Sequence, residues 1–152
     1  MRKGICIALC FFFAIVSKAQ TTSTTQEQDL AIIHRFIETI AQDELRADVI
    51  LSQQVLMEKE VDNDAYDYLE ASIDEIRLNV QLKDLSQIEY IPFNKLPHKE
   101  TVDIDTEGKP TDKMYFLKYK GRLLLSVYID KDKIASFTLV SKGDSKAHFV
   151  TY

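Results

Sequence analysis

Hydrophobic and polar positions follow three different patterns along this chain. Ile5 to Val16 is an unbroken run of twelve apolar residues. After a Ser/Thr tract at Thr21 to Thr25, Leu30, Ile33, Phe36, Ile37 and Ile40 recur at helical spacing and predict an amphipathic helix from about Gln26 to Gln42. Thr24 followed by Glu27 has capping-box spacing at its start. Glu44 to Asp48 predicts the opening of a second, shorter helix, with a strand at Gln54 to Met57 as the alternative. Tyr66, Leu69, Ile73, Ile76 and Val80 then step by three and four residues through about Leu82, with Asp62 or Asn63 as cap and Asp64 and Asp67 in the first turn, where negative charge suits the helix dipole.

Beyond Asp84 the period shortens to two. Gln87 to Phe93 predicts a strand closed by Pro92 or Pro97, and Glu100 to Asp105 a second one. Lys113 to Tyr119, Arg122 to Ile129, Ile134 to Val140 and Ala147 to Tyr152 follow as four strands. Lys120-Gly121 forms the first tight turn between them and Asp130 to Lys133 the second. Helices first and strands afterwards is an α+β order, and the expected architecture packs the N-terminal helices on a curved antiparallel β-meander sheet.

The apolar run changes the picture at the N-terminus. Arg2 and Lys3 precede it, and Ser17-Lys18-Ala19 closes it with small residues at the positions a signal peptidase reads. Twelve residues make a helix of roughly 18 Å, too short for a hydrocarbon core of about 30 Å. The prediction is a signal peptide over residues 1–19, cleaved after Ala19, and a single α+β domain over 20–152, exported to a periplasmic or extracellular location. Cys6 and Cys10 both lie in the apolar run, so the mature chain has no disulfide, thiolate ligand or cysteine nucleophile. Cys10 sits mid-run behind Leu9, which is not the usual setting of a lipid-attachment cysteine.

Cleavage also shifts the charge. The mature chain keeps 16 basic and 24 acidic side chains, a net charge of −8. Residues 20–107 carry 7 basic and 20 acidic groups, and residues 108–152 carry 9 basic and 4 acidic groups. Net acidity argues against nucleic acid or anionic lipid as a main target, since both need a cationic surface. The asymmetry predicts a molecule with one acidic and one basic side, and no later stretch is apolar enough for stable membrane insertion.

The helix Phe36-Ile37-Glu38-Thr39-Ile40-Ala41-Gln42-Asp43 with its acidic end, the segment Ala47-Asp48-Val49-Ile50-Leu51-Ser52 and the C-terminal meander together resemble the nuclear transport factor 2-like (cystatin-related) α+β family in element order. The resemblance implies a sheet wrapped around a helix to form a cone with an interior pocket. It covers isomerases, dehydratases and non-catalytic binding modules, so the fold alone does not decide function. That family places a strand before its long third helix, and here only Gln54 to Met57 is available for it. The resemblance carries over no catalytic residue.

Candidate chemistry is sparse. Asp103-Ile104-Asp105-Thr106-Glu107-Gly108 matches the first half of a calcium loop, but Pro110 and Met114 occupy its eighth and twelfth positions, so it reads as an acidic inter-strand loop. His34, His98 and His148 have no metal-ligand spacing, and the expectation is no metal and no cofactor. His148 shares a strand face with Val150 and Tyr152 and points into the core if that face is internal. Tyr90, Tyr115 and Tyr128 fall in the predicted sheet, where a phenol in an apolar cavity orients a ligand. Tyr90, Tyr115, Tyr128 and His148 are therefore the expected ligand-binding residues, with no catalytic set. The function expected is an exported, non-catalytic binding module, holding a small apolar ligand in a helix–sheet cavity or a protein partner on an acidic surface. The alternative is a small pocket enzyme, isomerase- or hydrolase-like. A homo-oligomer is compatible with the sequence.

Overall fold

A computed structural model of the chain describes residues 16–57, 61–143 and 145–152, with side chains from Thr25 onward. The predicted signal peptide falls mainly on residues 1–15, outside the described residues. Helix α1 (Val16–Ile40) runs through Ala19 and Gln20, the expected cleavage position. It begins well before the predicted Gln26, and Thr24 lies inside it rather than at its cap. Adding a residue to a formed helix is far easier than nucleating one. A helix anchored by the buried stripe Ile33, Phe36, Ile37 and Ile40 therefore continues through a Ser/Thr tract of poor helix propensity.

The next segment takes the helical reading, and of the strand expected as its alternative at Gln54 to Met57 only a single-residue bridge forms. Helix α2 (Ala47–Gln54) buries Ala47, Ile50 and Leu51. Val55 then forms an isolated parallel bridge to Ile134, and the Leu56 N–H donates to the Ile134 carbonyl at 2.8 Å. Helix α3 (Asn63–Gln81) follows its predicted limits closely. Asp62 is its N-cap, accepting from the Ala65 N–H at 2.8 Å, and Leu69, Ile73 and Val80 are buried. Arg77 ties α3 to the turn between α1 and α2. Its guanidinium donates to the Ile40 carbonyl at 3.0 Å and to the Leu45 carbonyl, and pairs with Asp74 at 2.8 Å.

Strands β1 (Ile88–Pro92), β2 (Met114–Tyr119), β3 (Arg122–Asp130) and β4 (Lys133–Ser136) form an antiparallel sheet in chain order. The strand expected at 100–105 is absent. His98–Thr101 is instead a short helix, α4, opened by Pro97, and only Ile104 of that stretch pairs, with Ala147. The fixed φ of proline suits the residue that leads into a helical turn.

The meander also ends earlier than expected. The Ser136 hydroxyl donates to the Thr138 carbonyl at 3.0 Å and accepts from its N–H at 3.2 Å, a local bond set that competes with the ladder and breaks the predicted strand 134–140. The chain resumes as β5 (Leu139–Gly143) and β6 (Lys146–Phe149), a separate two-stranded sheet.

Both faces of the main sheet are covered. Tyr115, Leu117, Leu125, Val127, Ile129 and Ile134 pack against α1, α2 and α3. Met114, Phe116, Tyr128 and Ala135 face the other way, onto Phe149 of β6 with Phe93 and Leu96 alongside. An antiparallel sheet with one wet face alternates; here Met114 to Leu117 is buried without interruption because the C-terminal hairpin takes the place of water.

Candidate functional site

The residues expected to meet in one cavity are distributed over three environments. Tyr115 points to the helices and is fully buried. Its hydroxyl donates to Asp29 Oδ2 of α1 at 3.0 Å, and Lys113 Nζ reaches the same carboxylate at 2.8 and 3.0 Å. Asp29 is 1% exposed, a buried carboxylate with a neutral donor and a cation as partners. Burial, followed by the Asp29 charge, pushes the Tyr115 phenol far above its ordinary range. Tyr128 lies on the opposite face of the sheet, its ring 6.2 Å from that of Phe149. Tyr90, on β1, packs its ring 3.9 Å from that of the exposed His34, and burial with the nearby Glu38 charge pushes its phenol up to about 12.

His148 does not enter the core. Phe149 takes the inward position on β6, 1% exposed, and His148 faces the 103–109 loop. Its Nδ1 is buried and lies 3.0 Å from Glu107 Oε1, at ion-pair distance but off hydrogen-bond alignment. Glu107 also binds Lys109 Nζ at 2.6 Å and Lys142 Nζ, which in turn reaches Asp105 at 3.4 Å. Hydrogen bonds from Lys109 and then Lys142, followed by the close approach of His148, hold the Glu107 carboxyl well below its ordinary value. Asp105 is lowered first by the Glu107 backbone N–H and then by Lys142. Two carboxylates of the half calcium loop are thus occupied by protein cations, and among the described residues no group of acidic, histidine or cysteine side chains is arranged to hold a metal.

The helix–sheet interface is filled where the cone interior was expected. Ile33, Phe36, Ile37, Tyr115, Leu117 and Val127 meet there, each 0% exposed. An apolar concavity lies outside it. A groove of about 450 Å³ runs between the first turns of α3 and the C-terminal segment, lined chiefly by Val61, Ala65, Tyr68, Leu69, Val140 and Val150. Thr138 and Tyr152 supply two of its hydroxyls, 2.6 Å apart, with Tyr152 also accepting from the Phe137 N–H at 3.3 Å and packing its ring on Phe137. Both hydroxyls have internal partners, so the wall they complete is effectively apolar. Strand period alone could not find this groove, because it joins α3 to residues from a hairpin and a tail more than sixty positions later.

No family model matches the chain, and no curated protein or solved structure does.

Proposed function

We propose that this chain is an exported, non-catalytic binding module that takes a small apolar ligand in the groove between α3 and the C-terminal segment. The observation that carries the reading is the groove itself. Its volume of about 450 Å³ lies within the range typical of small-molecule sites. Its walls are chiefly aliphatic and aromatic, its Thr138 and Tyr152 hydroxyls are already paired, and the Asp62 carboxylate on its rim is engaged in capping α3, which favours shape and desolvation over chemistry. Export rests on the signal-peptide pattern of residues 1–19. The element order α1, α2, the bridge at Val55, α3 and then the meander is compatible with the nuclear transport factor 2-like resemblance.

The alternative, a pocket enzyme, has its best pair in Tyr115 and Asp29. A phenol beside a carboxylate is acid–base machinery only if substrate reaches it. Tyr115 is 0% exposed and Asp29 1%, and Lys113 already occupies the carboxylate. Their chemistry is spent on each other, which favours binding over catalysis.

The test uses the neutral fluorophore N-phenyl-1-naphthylamine. Saturable enhancement with the wild-type chain, lost in Val140→Asp and weakened in Tyr68→Ala, supports the reading. Equal enhancement in all three proteins sinks it. Both positions are exposed, so neither substitution opens the core.

A further inference from the structure

The groove between α3 and the C-terminal segment is apolar along its walls and charged at one end. On the α3 side Asp62, Ala65 and Leu69 step by three and four residues, with the ring of Tyr68, 58% exposed, alongside. This stripe spans roughly 10 Å, at 1.5 Å per helical residue. Val140 and Val150 face it from the opposite wall. Asp62, at the start of the stripe, is the one charged side chain among the described residues that line the groove. Its Oδ1 caps α3 by accepting from the Ala65 N–H, and the cap leaves Oδ2 unused. A helix N-terminus carries about half a positive charge, but Asp64 and Asp67 follow in the first two turns, and Glu58-Lys59-Glu60 precedes Val61 with a net negative charge in the sequence. The basic side chains nearest along the chain to the opposite wall are Lys142 and His148. Lys142 is turned to Asp105 and Glu107, and His148 to Glu107. The Asp62 end of the groove is therefore anionic.

We propose that the ligand of this groove is a cationic amphiphile, an aliphatic amine whose ammonium group pairs with Asp62 while its apolar body lies between Ala65, Leu69, Val140 and Val150. The inference rests on the groove reading and narrows it from any small apolar molecule to one charge class. Desolvation selects that class. A molecule that fills the groove takes water from the Asp62 carboxylate. A neutral ligand leaves that carboxylate with less solvent and no new partner, and an anionic ligand adds repulsion. An ammonium group answers the charge and gives Oδ2 a donor. Thr138 and Tyr152 are already bonded to each other, so the carboxylate is the strongest acceptor the groove presents.

Octylammonium, octanol and octanoate share a chain length and differ in charge at neutral pH. Each is titrated against the full chain loaded with the neutral fluorophore N-phenyl-1-naphthylamine. Octylammonium should displace the fluorophore at roughly one-third of the octanol concentration, and octanoate should need about three times more than octanol, the weight of one partly exposed charge pair in each direction. Raising the salt to about 1 M should narrow this spread. In Asp62→Asn the three compounds should converge. Asparagine caps a helix as well as aspartate does, so the fold is kept. Asp64→Asn, which does not line the groove, should narrow the spread less. The ratios are taken within each protein, so a change in fluorophore affinity cancels. The inference is overturned, with the groove intact, if the fluorophore binds and the three compounds displace it equally. It is also overturned if octanoate displaces best, or if the spread survives unchanged in Asp62→Asn. The absence of any saturable fluorophore binding sinks the groove reading itself, and the inference with it.

Discussion

At the scale of single residues, the most consequential side chain is one that periodicity passes over. Asp29 lies next to Leu30 on α1 and reads as an ordinary helix carboxylate, yet it is buried between Lys113 and Tyr115, which stand far away in the sequence. Its replacement by alanine leaves a phenol and an ammonium facing each other without an acceptor, so Asp29→Ala should lower unfolding free energy by about 3 kcal/mol. Tyr115→Phe removes one hydrogen bond to a charged group and keeps the ring, and should cost about 2 kcal/mol. Urea denaturation of the two variants checks the order; a larger loss from Tyr115→Phe would contradict it. The tyrosines and His148 were legible as strand residues from the sequence, but the side of the sheet each one faces was not. That depended on whether the second face met water or protein, and a hairpin from the far end of the chain covers it.

Among the elements, α3 was readable almost to the residue, because its cap, first-turn acids and apolar stripe all agree locally. What anchors it is less local. Arg77 donates to the carbonyls of Ile40, the last residue of α1, and of Leu45 in the turn beyond it, groups that a helix end leaves without intrahelical donors. Arg77→Ala should therefore destabilise the fold by about 2 kcal/mol, more than an ordinary surface arginine, and Arg77→Lys should recover only part of it. Thermal denaturation of the pair tests this. The two hairpin turns were also visible in the sequence, Lys120-Gly121 and Lys131-Asp132, and both place two consecutive residues at positive φ, as type I′ turns require. A Cβ at Gly121 would meet nothing within 4 Å, so the cost of Gly121→Ala is backbone strain alone, about 1 kcal/mol by equilibrium unfolding. A loss several times larger would mean that the turn makes contacts the structure does not show. The broken strand after Ser136 and the helix at His98–Thr101 escaped the reading for one reason. Short segments take their conformation from a local side-chain bond or a proline, and alternation over four or five residues cannot outvote either.

For the whole molecule, the 103–109 loop is a clasp between the long β1–β2 connection and the C-terminal hairpin, made of Asp105, Glu107, Lys109, Lys142 and His148. Because Glu107 is held below its ordinary value of 4.5, the folded chain binds a proton at this site less readily than the unfolded chain does. Its stabilisation is present in full above that value and fades as pH falls from 4.5 through the depressed folded value. The difference in Tm between the wild-type chain and Glu107→Gln should be largest near neutrality and shrink below pH 4.5; a constant difference would show that the clasp acts by shape rather than charge. The sequence by itself determined the α+β order, the limits of α3, the strands of the main meander and the uneven charge, because each of these is written in neighbours a few positions apart. Tertiary structure decided which faces of the sheet are dry, that Asp29 meets Tyr115, that the helix–sheet interface is filled, and where the apolar groove lies. Those are contacts between residues tens of positions apart, and no local pattern encodes which distant segment will arrive to make them.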